Sequence, residues 1–132
     1  MDPTPHTREA IAVDGAPKQP AFISHVVRFG ELVFTSGAPP RHPETREIPI
    51  SFEDQARQCL ENLEAMLQGA GSSLRYALKT TVFLANIADW AAMNDLYEQY
   101  IDLGDAPART TVEVSAMNNG YLIEIEAIAV IK

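Results

Sequence analysis

Two stretches near the end of the chain decide the fold: Pro107-Ala108-Arg109-Thr110-Thr111-Val112-Glu113-Val114 and Ile123-Glu124-Ile125-Glu126-Ala127-Ile128-Ala129-Val130. Side chains on a strand point alternately to opposite faces, so Ile123, Ile125, Ala127, Ala129 and Ile131 share one side, small and aliphatic enough to lie beneath helices. Leu122, Glu124, Glu126, Ile128 and Val130 share the other. Both stretches read as strands, Thr110 to Val114 and Tyr121 to Ile131, joined by a turn at Asn118-Asn119-Gly120. They hold an arginine and carboxylates among residues that otherwise belong to a sheet interior, where an unpaired charge is costly. Charges kept in such a place are paired, or used.

Working upstream, Ala77 to Leu84 reads as another strand, and Ser24 to Phe29 and Leu32 to Ser36 as an antiparallel pair around the two-residue turn Gly30-Glu31. Arg8 to Val13 suits a short edge strand ended by Asp14-Gly15-Ala16-Pro17. The segment from Gly37 to Pro49 contains Pro39, Pro40, Pro43 and Pro49, which exclude a central strand or a helix interior. It is a loop beside whatever Ser36 and Gly37 line. Phe52, Ala56, Cys59, Leu60, Leu63, Met66, Leu67 and Ala70 recur at steps of three and four, with Ser51 as cap and Asp54 three residues on. Gly71 ends a helix of about five turns. Trp90, Met93, Tyr97, Tyr100 and Ile101 mark a second helix, with Asp89 as its expected cap and Gly104 and Pro107 as its stop. The order β-β-β-α-β-α-β-β gives an α+β fold, a mixed six-stranded sheet with two helices on one face. A single domain is expected over residues 1–132, with the polar, Pro-rich residues 1–7 frayed.

Composition limits the function classes. A chain of 132 residues with 46% hydrophobic and 21% charged residues suits one domain around one core. No stretch approaches about 18 continuous apolar residues, and Met1-Asp2-Pro3-Thr4-Pro5-His6 lacks the basic region and apolar run of a secretory signal. The expectation is a soluble, cytoplasmic protein with no membrane partner. The single cysteine, Cys59, has no companion for a disulfide or at metal-ligand spacing, so it reads as a small buried apolar residue and no metal site is expected. A net charge of −8, from 10 basic and 18 acidic residues, supplies no footprint for phosphate backbones and argues against a nucleic-acid partner.

The second face of the last strand is mostly apolar, yet both helices are spent covering the first. A lone chain would leave that face wet, which predicts a partner subunit. By the same alternation Arg109, Thr111 and Glu113 share a face of the preceding strand. Arg109 with a carboxylate is then either a structural salt bridge at a subunit interface or part of a site there. Glu126 reads as an interface polar group, and Glu113 fits an exposed strand position equally well. His6, His25 and His42 have no mutual spacing and no nearby nucleophile; His25 reads as a strand-surface residue rather than a base. Trp90, Met93 and Tyr97 read as a core stripe rather than a stacking platform. Arg8 and Arg28 are scattered, while Arg41 and Arg46 stand in the Pro-rich loop, within reach of a cleft beside it.

Six motifs occur in order: Val33-Phe34-Thr35-Ser36-Gly37, Gln55-Ala56-Arg57-Gln58-Cys59-Leu60-Glu61-Asn62-Leu63, Lys79-Thr80-Thr81-Val82-Phe83, Asn94-Asp95-Leu96-Tyr97-Glu98, Pro107-Ala108-Arg109 and Ile123 to Ala129. Together they resemble the reactive intermediate deaminase family, also called YjgF or RidA, from about Ile11 to Lys132. The resemblance implies a chorismate-mutase-like α+β fold and a homotrimer whose sheets form a central barrel, with active sites in the clefts between subunits. It implies hydrolysis of small enamine and imine carboxylates, of the 2-aminoacrylate and 2-iminopropanoate type, to 2-oxo acids and ammonia. No cofactor is expected, because an imine carbon is already electrophilic and positioning with one proton relay suffices. By the same resemblance Arg109 binds the substrate carboxylate through its planar fork, and Glu124 positions the attacking water and manages its proton. Ser36 touches substrate or water, Gly37 lets a backbone amide approach closely, and Asn94 stands at the cleft rim.

Two positions depart from the family pattern. Ile23 stands where many members have a tyrosine, with Phe22 as the nearby aromatic, and Thr111 stands where some have a cysteine, leaving its backbone groups to hold a substrate. Both bear on substrate identity, and the lost hydroxyl with Phe22 beside it favours a less polar or larger imine. The leading reading is an enamine/imine deaminase. A pathway-specific deaminase, acting for example on 2-aminomuconate or on an aminoacrylate, is the alternative within enzymes. A non-catalytic small-molecule-binding or chaperone-like module is the alternative outside them, with a ribonuclease last. Acidity weighs against RNA, and retention of both Arg109 and Glu124 weighs against a pure binder.

Overall fold

Alternating apolar residues form six strands and two runs at helical spacing form the helices: β1 (Arg8–Ile11), β2 (Val26–Phe29), β3 (Leu32–Thr35), α1 (Phe52–Gly69), β4 (Ala77–Leu84), α2 (Trp90–Tyr97), β5 (Ala108–Glu113) and β6 (Ile123–Val130). The computed structural model describes residues 7–132, so the fraying expected of residues 1–6 falls outside the described residues. Thr7 precedes β1 and is exposed.

The strands form one sheet in the order β1-β2-β3-β6-β4-β5. Every pairing is antiparallel except β4 with β5, which is parallel and is bridged by α2, since parallel neighbours need a crossover. The turn at Asn118–Gly120 therefore joins β5 to β6 without pairing them, because β4 lies between. Asn119 at φ 59° and Gly120 at φ 69° turn the chain there.

Burial along β6 follows the alternation read from the sequence. Ile123, Ile125, Ala127 and Ala129 are buried, and the residues between them are half-buried. The buried row faces Ala56, Cys59, Leu60, Leu63, Met66 and Leu67 of α1, together with Val33 and Val82 of the neighbouring strands. Ser51 caps α1 by accepting a hydrogen bond from the amide of Asp54 at 3.1 Å. At the other end Gly71, at φ 83°, donates to the Gln68 carbonyl and Ser72 to the Leu67 carbonyl, closing the helix with a left-handed glycine.

α2 is shorter than its apolar pattern implies. After Tyr97 the chain tightens into i to i−3 turns, Gln99 to Leu96 and Tyr100 to Tyr97, which keep Tyr100 and Ile101 against the core without helical continuation. Asp89 makes no side-chain cap; Asn86 instead caps the short turn ahead of α2 by accepting from the Ala88 amide at 2.9 Å.

The Pro-rich loop is held by polar side chains of α1. Asn62, only 2% exposed, donates to the carbonyls of Pro39 at 2.8 Å and Arg41 at 2.7 Å. Gln55 donates to Pro49 and accepts from the Leu122 amide, and Cys59 donates from Sγ to the Ala38 carbonyl. Ala38 in turn bridges to Ile125 of β6. On the other side His25 is a buried strut rather than a surface residue: its Nδ1 accepts from the Val13 amide at 3.0 Å and its Nε2 donates to the Pro17 carbonyl at 2.7 Å. The sequence reading missed this because burial of His25 comes from the segment that folds back over it. Asn62→Ala removes both loop anchors and leaves carbonyls without donors. We expect it to lower unfolding free energy by about 1–3 kcal/mol in urea titration.

Candidate active site

Register fixes where the charged residues point. Side chains opposite one another on paired strands share a face. Arg109 lies opposite Thr80, and Thr80 lies opposite Ala127. Thr80 and Ala127 are buried beneath the helices, so Arg109 shares that face. Glu124 lies opposite Phe83, and Phe83 opposite Val112, all on the open face. The two groups project to opposite sides of the sheet, roughly 14 Å apart along the backbone lattice. One chain therefore carries two separate candidate sites, one on each face of the sheet.

The first candidate site is built on α2 and β5. The Arg109 guanidinium lies 4.8 Å from the centre of the Tyr97 ring and 5.2 Å from that of Trp90, and one Nη donates to Asn94 Oδ1 at 2.6 Å. Trp90, Asn94 and Tyr97 follow one another at steps of four and three, which puts them on one face of α2. The Tyr97 hydroxyl bonds Thr80 Oγ1 at 2.7 Å. Burial pushes the Tyr97 phenol up, an effect the Thr80 hydrogen bond and the Arg109 charge partly offset. Trp90 is 44% exposed, so it belongs to an aromatic platform under the cation and not to the core stripe that its spacing with Met93 suggested. Thr111, on the same face two residues beyond Arg109, has a buried Oγ1 with no hydrogen-bond partner among the described residues. No carboxylate lies within 4.0 Å of Arg109 among the described residues. The cation is oriented by neutral partners only, which leaves it available to an anion.

The second candidate site is a cleft of about 640 Å³ whose lining includes Phe22, Ile23, Ser36, Gly37 and Glu124. Ser36 Oγ donates to the Ser24 carbonyl at 2.6 Å, leaving its lone pairs for a ligand. Gly37 leaves room for the acid: a Cβ there would collide with Oε2 of Glu124 and push that carboxylate aside. Burial raises the Glu124 carboxyl above the usual carboxylate range, and the like charge of Glu126 raises it further. Cys59 lies beneath the cleft, its thiol pushed up by burial, which makes it inert.

The structure brings Phe22, Ile23, Ser36, Gly37 and Glu124 together, and separately Asn94, Arg109 and Thr111. It does not bring the two sets together within one chain. Sequence reasoning missed Trp90 and Tyr97 as partners of Arg109, although their helical spacing with Asn94 carried the signal. It also missed Tyr121 and Lys18 at the cleft, for which nothing local gave a signal. Among the described residues there is no cluster of metal-ligating side chains, and no helix is long and apolar enough to cross a membrane.

A mixed sheet with α2 as its parallel crossover and an arginine edge opposed to a glutamate face defines a class that comparison with known proteins identifies. The model of the endoribonuclease L-PSP family matches residues 13–131. The chain belongs to this family, known also as YjgF/RidA. It is 43% identical to a RutC family protein of Pyrococcus horikoshii over 92% of this chain and 97% of that one. It is 39% identical to the 2-iminobutanoate/2-iminopropanoate deaminase of Escherichia coli, again over 92% and 97%. The crystal structure of Escherichia coli TdcF with bound serine superposes with a TM-score of 0.87 at 39% identity, covering 94% of this chain and 99% of that one.

Raising a carboxyl's pKa on folding means that charging it costs stability. The Glu124 contribution is present below the ordinary carboxylate range and is lost as pH rises through its folded pKa. Glu124→Gln is thus expected to gain stability relative to wild type as pH rises across that window, read as a growing difference in Tm. Glu126→Gln removes the neighbouring charge and should move the Glu124 titration to lower pH by carbon-13 NMR; an unmoved titration would leave burial as its sole cause.

Proposed function

We propose that this chain hydrolyses small 2-imino and 2-enamino acids to 2-oxo acids and ammonia, at a site completed between subunits. The observation that carries the proposal is the pairing of an arginine without a carboxylate partner among the described residues and a glutamate whose carboxyl is raised by burial, on opposite faces of one sheet. Arg109 stands on β5, the edge strand, while Glu124 stands on the open face. A second copy packed by its open face against that edge would set its Glu124 opposite Arg109, and the apolar residues exposed there, Phe34 and Val112 among them, supply a reason to pack. The homotrimer implied by the family resemblance supports this arrangement.

In this reading the Arg109 fork takes the substrate carboxylate as two charge-assisted hydrogen bonds, held in plane by the Tyr97 and Trp90 rings. Asn94 steadies the guanidinium, and the unpartnered Thr111 hydroxyl lies beside the bound acid. Water held by Glu124 and Ser36 adds to the C=N carbon, Glu124 taking its proton. The same carboxyl returns that proton to nitrogen to give a carbinolamine; it then takes the carbinol hydroxyl proton and delivers it to nitrogen, so that the C–N bond breaks as the C=O forms and ammonia leaves a 2-oxo acid. A carboxyl raised above the ordinary range suits a group that must both accept and donate. An enamine enters by protonation at its terminal carbon, which converts it to the imine. Phe22 and Ile23 give the cleft an apolar wall where a phenol would have offered a hydroxyl.

The substrates of the deaminase relative support the reaction class. The endoribonuclease description of the family is not favoured here, since a net charge of −8 offers nothing to a phosphate backbone. An amino-acid oxidase generating 2-iminopropanoate in the presence of semicarbazide gives the test. Wild-type protein should suppress the trapped product, and Arg109→Ala should lower kcat/KM by roughly a hundredfold. Equal behaviour of the two proteins would end this reading. The shared site has its own test: Arg109→Ala and Glu124→Gln, each inactive alone, are dissociated together and reassembled. Random mixing restores roughly a quarter of the sites if each needs residues from two chains, and none if each site lies within one chain.

A further inference from the structure

We infer that the site is built for an imine or enamine bearing a second carboxylate, which Arg41 binds at the end of the cleft away from the reacting carbon; this rests on the deaminase reading above. Arg41 lines the cleft that holds Ser36, Gly37 and Glu124, and it also lines an adjoining cavity of about 770 Å³. Pro17, Lys18, Gln19 and Pro20 line both as well, so the two spaces adjoin at Arg41. Each lies in the range of about 300–1,000 Å³ typical of small-molecule sites.

The Arg41 side chain is positioned and unsatisfied. Its carbonyl is fixed by the buried Asn62 amide at 2.7 Å, so its backbone is anchored to α1. Its guanidinium carbon stands 5.8 Å from the centre of the Tyr121 ring, which supports one face. Its Nε is buried and has no hydrogen-bond partner among the described residues, and no carboxylate lies within 4.0 Å of it or of Lys18. A guanidinium without a charged partner is costly to keep half-buried, and a carboxylate in the cleft would offset that cost. In a chain of net charge −8, two cations without ion-pair partners in one cleft make a local reversal of sign.

Acidic side chains do approach the region. Asp14 and Glu44 line the adjoining cavity, but both are exposed at its rim and neither pairs with Arg41. Glu124 lies in the same cleft without ion-pairing to Arg41. A substrate with carboxylates at both ends would span from Arg109 of one subunit to Arg41 of the next, with the reacting C=N beside Glu124. Arg41 acts here on specificity and takes no part in the chemistry.

The test compares 2-iminopropanoate with 2-iminoglutarate, generated from alanine and glutamate by their oxidases and followed by semicarbazide trapping. Wild type should favour the dicarboxylate in kcat/KM by roughly tenfold or more. Arg41→Met should lower the ratio of the two kcat/KM values ten- to hundredfold, mainly through KM for the dicarboxylate, and Arg41→Lys should recover part of it. The ratio is internal to each preparation, so a loss of folded protein does not mimic the effect. If wild type turns over both imines without preference, or if Arg41→Met leaves the ratio unmoved, the second-carboxylate subsite is refuted while the deaminase reading stands. If wild type accelerates neither imine, both fall.

Discussion

β6 exchanges backbone hydrogen bonds with β3 on one side and β4 on the other, and a slip of one residue in either ladder would invert every side chain along it. Burying Ile123, Ile125, Ala127 and Ala129 under α1 removes that freedom, because the inverted register would put Glu124 and Glu126 into the apolar layer. The hydrophobic row thus specifies the position of the acid that is not part of it. The same ladder carries the constraint outward: β4 copies the alternation of β6, and β5 copies that of β4 in parallel register. Arg109 inherits its helix-facing direction from Ala127 through Thr80.

From this register come two contrasting electrostatic environments. Arg109 is surrounded by groups that favour its charge without cancelling it: two ring faces and one amide oxygen. Glu124 sits among groups that disfavour its charge, namely apolar neighbours and the Glu126 carboxylate. A cation kept uncompensated and a carboxyl kept reluctant to ionise are the complementary conditions for holding an anionic substrate while moving one proton. Gly37 keeps the second condition possible, because any side chain there would displace the carboxylate from the cleft wall.

How much of this could be read from the sequence depended on the range of the interactions involved. Ser51 with Asp54, Gly71, and the alternation of β6 are local signals, and the elements they predict are present. The mixed sheet with two helices on one face followed from their order. The end of α2 was misjudged because Tyr100 and Ile101 remain apolar and packed after helical hydrogen bonding has stopped. His25 was misjudged because its burial is produced by residues 13–17, which no periodicity announces. For the site, Ser36, Gly37, Phe22, Ile23 and Glu124 fell together because each flanks the β2–β3 or β6 region. The placement of Arg109 and Glu124 on opposite faces was not legible, since it depends on β4 entering the sheet between two strands that are consecutive in the chain.

That insertion bears on what Arg109 is for. Had β5 and β6 formed a hairpin, Arg109 and a glutamate of the next strand would have been cross-strand neighbours, and a structural ion pair would have been the sufficient explanation. With β4 between them, and with the faces opposed, no rotamer of either side chain closes the gap, and no other described carboxylate reaches the guanidinium. Stacking on Trp90 and Tyr97 and a hydrogen bond to Asn94 hold the cation in place but do not neutralise it. A half-buried guanidinium ordered in this way costs side-chain entropy and desolvation that its own chain does not recover in full. An arriving carboxylate would recover it, and this supports the proposed anionic ligand at Arg109 over a purely structural role.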